Sequence, residues 1–545
     1  MEKSNHRIEF GDFQTPTDMA RRICRFLFEQ GVRPASIVEP TCGEGNLLLS
    51  ALDRFSSATK AIGIDVNPEY IERVKNRLVT QSYSHKVRVF QGNFFDLDWG
   101  QTFDNLPDPV LVIGNPPWVT SSELASLNSA NLPKKTNFQG LAGLDAKTGK
   151  SNFDISEWML IHILEFLEHR DATMAMLCKT SVARKVLSYT WKRNLGLRRS
   201  QLYLIDAKKA FDASVDACLL VCDVSTDEQR DQVCHVYDGL FSEAHQSTFG
   251  YKNNRLIASI ECYEQWKHLE GNGNSYKWRS GVKHDCSKVM ELEKEKHGFR
   301  NKLGELCDLE TTYVYPMLKS SDIAKESIPQ PSRWMLVTQR TIGKDTTSIK
   351  YTAPKTWAYL MNHSARLDKR QSSIYKGRPR FSIFGVGAYS FSPWKVAISG
   401  LYKKLHFAIV GPYAGKPVVL DDTCYFIPCQ SEEEARYLAE LLNSEAAKEF
   451  FKSFIFWDAK RPITANILKR LSLVALAREL GARDRIMSFL AANGYSASPH
   501  KQLVLFEREK AIRPRGYDRR VAAHQPVGDR FPRDRRTGHQ STDGL

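Results

Sequence analysis

Asp108-Pro109-Val110-Leu111-Val112-Ile113-Gly114-Asn115-Pro116-Pro117-Trp118 is the stretch from which the fold of this chain can be read. Residues 110–113 form a short unbroken apolar run, the pattern of a buried strand, and Gly114 ends it. Two prolines then fix the backbone and hold Asn115 and Trp118 at the strand's carboxyl end. Open α/β sheets place their ligands at that end. The amide oxygen of Asn115 and the carbonyl of Pro116 can both accept hydrogen bonds from one exocyclic amine. Trp118 offers a flat face on which a planar ring can stack. A Pro-Pro turn with a structural Trp is the plainer alternative, and the residues upstream decide between the two.

Upstream, Phe13-Gln14-Thr15-Pro16 leads into a helix expected over 17–30, with Thr15 as N-cap, Pro16 in the first helical position and Asp18 near the positive helix end. A strand at 36–38 runs into Glu39-Pro40-Thr41-Cys42-Gly43-Glu44-Gly45 and a helix over 46–55. Gly43 and Gly45 let a ligand approach the backbone at a helix N-terminus. The dinucleotide fingerprint needs a third glycine, and Leu48 holds its place, so a NAD site is disfavoured. A second strand, 60–64, ends in Asp65, 20 residues beyond Gly45, a spacing that suits an acidic residue holding ribose hydroxyls. These features together describe a site for a nucleoside-bearing cofactor.

The alternation continues with a helix at 68–78, a strand at 86–90 and Gln91-Gly92-Asn93-Phe94-Phe95-Asp96 at its carboxyl end. After the Asn-Pro-Pro-Trp turn, 119–150 is polar and aperiodic, with Lys134, Lys135 and Lys147, and suits a flap over the site. Helices at 155–167 and 182–195 and strands at 173–177, 201–205 and 217–221 complete a doubly wound sheet of about seven strands. The alternation stops near Asp223. Beyond it, basic residues punctuate a stretch rich in Trp, Tyr and Thr, and Tyr375-Lys376-Gly377-Arg378-Pro379-Arg380-Phe381 forms a basic, aromatic turn. Phe384-Gly385-Val386-Gly387 lacks the lysine of a phosphate loop and reads as a strand turn. Amphipathic helices are expected over 432–451 and 465–480, the second capped by Thr464.

The 545 residues exceed one ordinary core. Lys and Arg outnumber Asp and Glu by 77 to 62, a net charge of +15 that suits a polyanionic partner and also plain solubility. The 11 cysteines are scattered without a CxxC pair, which indicates a reducing compartment and no disulfide framework. His284-Asp285-Cys286 has no second ligand pair at zinc spacing, so no metal site is expected. No segment is long and apolar enough to span a bilayer.

Phe13-Gln14-Thr15-Pro16, the Glu39–Gly45 loop and Asn115-Pro116-Pro117-Trp118, in that order, resemble the gamma-class, TaqI-like amino-methyltransferases of DNA, the N6-adenine methyltransferase family of type II restriction–modification systems. The resemblance covers roughly 10–225 and extends more loosely to 278–292 and 456–471. It implies a seven-stranded, Rossmann-like S-adenosylmethionine-dependent methyltransferase domain over 1–225 and a mixed α+β target-recognition region over 226–510. A basic, disordered tail would follow over 511–545. Thr15, Glu39, Pro40, Thr41, Gly43, Gly45, Asp65, Asn93 and Phe94 would line the S-adenosylmethionine pocket. Asn115, Pro116, Pro117 and Trp118 would be catalytic, and Phe211 would pack on the extruded base, with a plain core role as its alternative. Arg378 and Arg380 would contact DNA.

Two residues depart from the family pattern. Asn93 stands where relatives often carry an Asp, and Trp118 replaces the commoner Tyr or Phe, as in the Ser-Pro-Pro-Trp of cytosine-N4 enzymes. Asn115 in first position favours adenine over cytosine. The expected partners are double-stranded DNA and a cognate restriction endonuclease encoded separately. The enzyme would work as a monomer, without a membrane, in a bacterial or archaeal cytoplasm near the nucleoid. RNA or protein-glutamine methyl transfer, and a non-catalytic DNA-binding role, are the rival readings.

Overall fold

The computed structural model describes residues 14–120, 154–225, 230–271 and 276–494. The flap expected over 119–150 lies, beyond its first two residues, outside the described residues, as does the tail over 511–545. Residues up to Phe489 form one compact unit, to which the following description applies.

All seven strands read from the sequence are present: β1 (Ser36–Glu39), β2 (Lys60–Asp65), β3 (Val87–Gln91), β4 (Val110–Gly114), β5 (Ala172–Lys179), β6 (Leu197–Ile205) and β7 (Ala217–Val224). The sheet does not stop where the βα alternation does. β8 (Val233–Tyr237), β9 (Ser247–Lys252) and β10 (Arg255–Ile257) extend it to ten strands, ordered β10-β9-β8-β6-β7-β5-β4-β1-β2-β3. β1 lies parallel between β2 and β4, and β5 is parallel to β4. β7 runs antiparallel between β5 and β6. The chain winds outward through β2 and β3, then returns to the other side of β1 to form β4. That reversal opens a crevice at the carboxyl ends of β1 and β4.

Helices cover both faces. α1 (Thr17–Glu29) and α2 (Asn46–Arg54) pack with Ile37, Leu111 and Ile113 on one face. α4 (Trp99–Asp104), α5 (Ile155–Leu167) and α6 (Thr180–Arg193) pack with Val38, Val110 and Val112 on the other. Every residue of β4 is buried, as expected of a strand whose alternate side chains enter two cores. α3 (Pro68–Leu78) starts where its sequence dictates: Asn67 accepts the Glu69 N–H at 2.9 Å and Pro68 takes the first position.

Several local expectations are corrected. Pro16, not Thr15, occupies the N-cap of α1, and it makes no side-chain cap bond; Thr15 turns inward and is buried. α6 begins at Thr180, two residues earlier than its apolar pattern suggests. The helix expected over 432–451 is two, Glu432–Asn443 and Glu445–Lys452, because Ser444 breaks the first and caps the second by accepting the Ala447 N–H at 3.3 Å. The helix expected over 465–480 likewise divides into Ala465–Leu468, capped by Thr464, and Leu473–Glu479, capped by Ser472. Serine side chains compete for backbone N–H groups, and periodicity alone does not register that.

The second half contributes a six-stranded and a four-stranded sheet with cores of their own. One joint to the first half is polar. Asp458 Oδ2 accepts from Thr180 Oγ1 at 2.7 Å and Arg184 Nη1 at 2.6 Å, and the Arg184 guanidinium lies 4.6 Å from the centre of the Phe456 ring. Burial raises the Asp458 pKa, but the Arg184 and Thr180 hydrogen bonds outweigh it and leave it below the usual carboxylate range. Asp458→Asn is therefore expected to destabilise the protein by roughly 1–3 kcal/mol at neutral pH in chemical denaturation. A depressed folded pKa contributes stability that is complete above the unfolded value, about 3.9. The difference between wild type and variant should shrink as pH falls below that value towards the folded one.

Candidate active site

The crevice between β1 and β4 is a cleft of about 730 Å³ out to its open mouth. One wall is the loop after β1. Gly43 and Gly45 adopt positive φ of 48° and 75°, which only glycine takes without strain, and Gly45 is the N-cap of α2. The loop is held from three sides. Glu39 Oε2 accepts the Leu48 N–H at 2.8 Å, satisfying a free donor in the first turn of α2. Gln14 Oε1 accepts the Glu44 N–H at 3.0 Å, and Asn46 Nδ2 donates to the Thr15 carbonyl at 2.9 Å. Gln14 and Thr15 thus brace the glycine loop directly.

Asp65 closes the floor. Its Oδ2 accepts the Gly43 N–H at 2.8 Å and its Oδ1 accepts the Asn67 N–H at 2.9 Å. The carboxylate ties the β1 loop to the β2 loop while facing the cleft. Burial pushes the Glu39 carboxyl well above its ordinary pKa; the Leu48 hydrogen bond opposes this and the Asp65 charge adds to it. Burial, then Glu39 and Asp65, raise the Cys42 thiol far beyond its usual range, so Cys42 lines the cleft as a neutral group.

The opposite wall is the turn after β4. Asn115 and Pro117 line the same cleft as Gly43 and Asp65. Trp118 is buried, and its ring meets Phe211 edge to face, with centroids 5.2 Å apart at 72°. Phe211 ends the short helix α7 (Ala207–Phe211) between β6 and β7, so the two aromatics arrive from distant parts of the sequence. Lys179, at the end of β5, donates to the Trp118 carbonyl at 2.9 Å and pairs with Asp154 at 2.6 Å. Asp154 also forms a bridge with Thr120, and the Ile155 N–H bonds the Val119 carbonyl at 2.9 Å. The chain on either side of 121–153 is therefore tied together beside the turn.

Of the residues singled out in the sequence, Thr15, Glu39, Pro40, Thr41, Gly43, Asp65, Phe94, Asn115 and Pro117 line one cleft. Beside Phe94 the wall is Gly92, whereas the Asn93 side-chain oxygen accepts the Phe95 N–H at 3.1 Å. Arg378 and Arg380 are exposed on the second half, and Arg380 is paired with Asp368 at 2.7 Å. Tyr70, from α3, and Met159, from α5, also line the cleft and were missed. Tyr70 follows Asp65 closely enough to be suspected; Met159 carries no local signal and arrives through packing. Lys179 was missed as well, although a lysine at the end of a buried strand marks a place where the charge needs a partner.

The donor set fits S-adenosylmethionine. Gly43 and the Asp65 carboxylate line the cleft, and the buried Thr41 hydroxyl has no hydrogen-bond partner among the described residues. Those same residues form no cluster of three or more His, Cys, Asp or Glu able to hold a metal ion, and no helix among them is long and apolar enough to cross a membrane. All eleven cysteines are free.

No protein-family model matches the chain. It is 46% identical over 472 residues to the type II methyltransferase M.NspV of Nostoc sp. (strain ATCC 29411 / PCC 7524), covering 87% of this chain and 98% of that protein. It is 30% identical over 155 residues to the type II methyltransferase M.BanIII of Aneurinibacillus aneurinilyticus, covering 25% of this chain and 27% of that one. Among solved structures, the type IIL restriction-modification enzyme MmeI in complex with DNA aligns with a TM-score of 0.49 at 14% identity, over 88% of this chain and 68% of that one.

Glu39 provides a test of how the glycine loop is held. Glu39→Gln keeps an acceptor for the Leu48 N–H and should leave stability close to wild type. Glu39→Ala strands that donor and should cost roughly 1–3 kcal/mol in denaturant titrations. Equal loss in both variants would assign the stabilisation to charge instead of the hydrogen bond.

Proposed function

Because the chain belongs to the type II methyltransferases, we propose that it transfers a methyl group from S-adenosylmethionine to the N6 amine of an adenine extruded from duplex DNA. In this reading it is the modification enzyme of a restriction–modification system. The observation that carries the reading is the shared cleft: Asn115, which would grip the amine, and Pro117 of the same turn line the same space as Gly43 and Asp65. Residues 1–225 serve as the catalytic part, 226–510 as target recognition and 511–545 as a basic tail, with β8–β10 adding sequence from the second part to the catalytic sheet.

S-adenosylmethionine would supply a methyl group activated by a sulfonium, held by Thr15, Glu39, Pro40, Thr41, Gly43, Asp65 and Phe94; Gly45 shapes the loop from outside the cleft, and Asn93 turns its side chain to the Phe95 N–H. The chain's task lies with the acceptor. An aromatic amine is a poor nucleophile because its lone pair is conjugated into the ring. The Asn115 side-chain oxygen and the Pro116 carbonyl each accept one amine hydrogen, which favours a pyramidal nitrogen with a directed lone pair. Trp118 stacks on the base and Phe211 packs against its edge, offsetting the few kcal/mol that extrusion costs. Pro116 and Pro117 keep both acceptors in place, so orientation is the largest part of catalysis. The proton leaves to solvent after transfer, when the methylated amine has become acidic.

Trp118 supports a second reading, cytosine N4 as the acceptor, since the same two acceptors suit either amine. Double-stranded DNA is the partner, with a separately encoded endonuclease of the same specificity. Asn115→Ala is expected to reduce turnover on duplex DNA by at least about a thousandfold, comparable to removing a key transition-state hydrogen bond. S-adenosylmethionine affinity, measured by calorimetry, should stay within a few-fold of wild type. Near-normal turnover in this variant would remove the turn from the active site.

A further inference from the structure

A second hollow lies in the recognition half, about 950 Å³ out to its mouth, where its two sheets meet. The segment 279–283 passes from one sheet to the other. Arg279 and Ser280 pair with the strand Cys424–Cys429, Val282 bridges Asp421, and Lys283 exchanges two backbone hydrogen bonds with Phe384. The crossing needs Gly281: a Cβ there would lie 2.0 Å from the Asp421 carbonyl oxygen.

Four cations line it, Arg279, Lys283, Arg461 and Lys469, against the single carboxylate of Asp422. Lys283 is partly neutralised, at 2.9 Å from Asp285 and 3.7 Å from Asp422. Arg279 lies over the Tyr389 ring at 4.5 Å, and its Nε is buried without a hydrogen-bond partner. Arg461 is exposed. A planar guanidinium fixed by a ring at the wall of a positive hollow suits an anionic oxygen acceptor.

The hollow's place in the fold says which anion. Arg461 follows Asp458 by three residues, and Asp458 is bonded to Thr180, the neighbour of the Lys179 that holds the Trp118 carbonyl. Three residues span at most about 10 Å. On its other side, Tyr375 packs on Phe384 with ring centroids 5.4 Å apart, which brings the basic turn bearing Arg378 to the same rim.

We propose that this hollow grips a backbone phosphate of the duplex, with Arg279, Arg461 and Lys469 as its ligands, and so positions the DNA relative to the Asn115 turn without reading its sequence. The proposal rests on the DNA-methyltransferase reading and adds to it a phosphate anchor. Phosphate contacts set register, while base contacts specify sequence.

The test uses the full-length protein, a fluorescent mixed-sequence duplex and, once product mapping has located the methylated site, a duplex that carries it. Arg461→Ala and the double variant Arg461→Ala/Lys469→Ala are compared with wild type across salt. Affinity should fall about tenfold per residue at low salt, equally for both duplexes. The slope of log affinity against log salt should become shallower by about one for each contact removed. Arg461→Lys should restore most of the slope, and S-adenosylmethionine affinity should not change. Unchanged affinity and slope in the double variant would overturn the anchor, as would a loss confined to particular base pairs. Saturable binding of inorganic phosphate that duplex DNA fails to displace would identify a free-anion site and overturn it too. If wild type binds duplex and the variants show these losses, but wild type transfers no methyl group, the activity falls and the anchor stands. Failure of wild type to bind duplex would sink both.

Discussion

Burial of β4 on both faces is the constraint on which the rest of the molecule depends. Val110 and Val112 enter one core while Leu111 and Ile113 enter the other, so a slip by one residue would exchange the side chains fitted to the two cores. Its register with β1 is thereby fixed, Ile37 opposite Leu111 and Val38 opposite Val112. The two strands then end together, and the glycine loop after one faces the Asn-Pro-Pro-Trp turn after the other. No side chain in the site has to create this juxtaposition; the winding of the sheet supplies it. Hydrogen bonds from Glu39, Asp65 and Gln14 refine the position of a loop already placed.

A chain of polar contacts leads from this turn into the second half. The Trp118 carbonyl is held by Lys179; Thr180 follows it, and Thr180 and Arg184 hold Asp458. Each link satisfies a group that would be costly to bury alone. Trp118 and the segment 456–461 are therefore both tied to the start of α6. In the proposed reaction this would matter for aligning the acceptor amine, because an error of one ångström in alignment carries a large catalytic cost.

Strands such as β4 and β7 were legible because a strand buried on both faces is an unbroken apolar run, and the others because turn chemistry and helices alternate with them. The cleft was legible for the same reason: Glu39, Gly43, Asp65 and Asn115 all sit at strand ends, where their spacing identifies them. β8–β10 were not, because short edge strands such as Arg255–Ile257 carry too few residues for alternation to register. Met159 and the contact of Trp118 with Phe211 depend on tertiary packing between segments far apart in sequence. The division of the helices at Ser444 and Ser472 depended on local capping, which a moderately apolar helix pattern conceals. Asp65 shows the reverse case: its spacing marked a ligand contact, yet the folded chain also uses both of its oxygens to join two loops.

The most direct measurement is chemical identification of the product. Duplex DNA incubated with the protein and methyl-labelled S-adenosylmethionine is digested to nucleosides and separated by mass spectrometry. Label should appear in N6-methyladenine alone and only at a defined sequence. Label in N4-methylcytosine would contradict the choice of base, and DNA left unlabelled would contradict the assignment of the Asn115–Trp118 turn to methylation of a DNA amine.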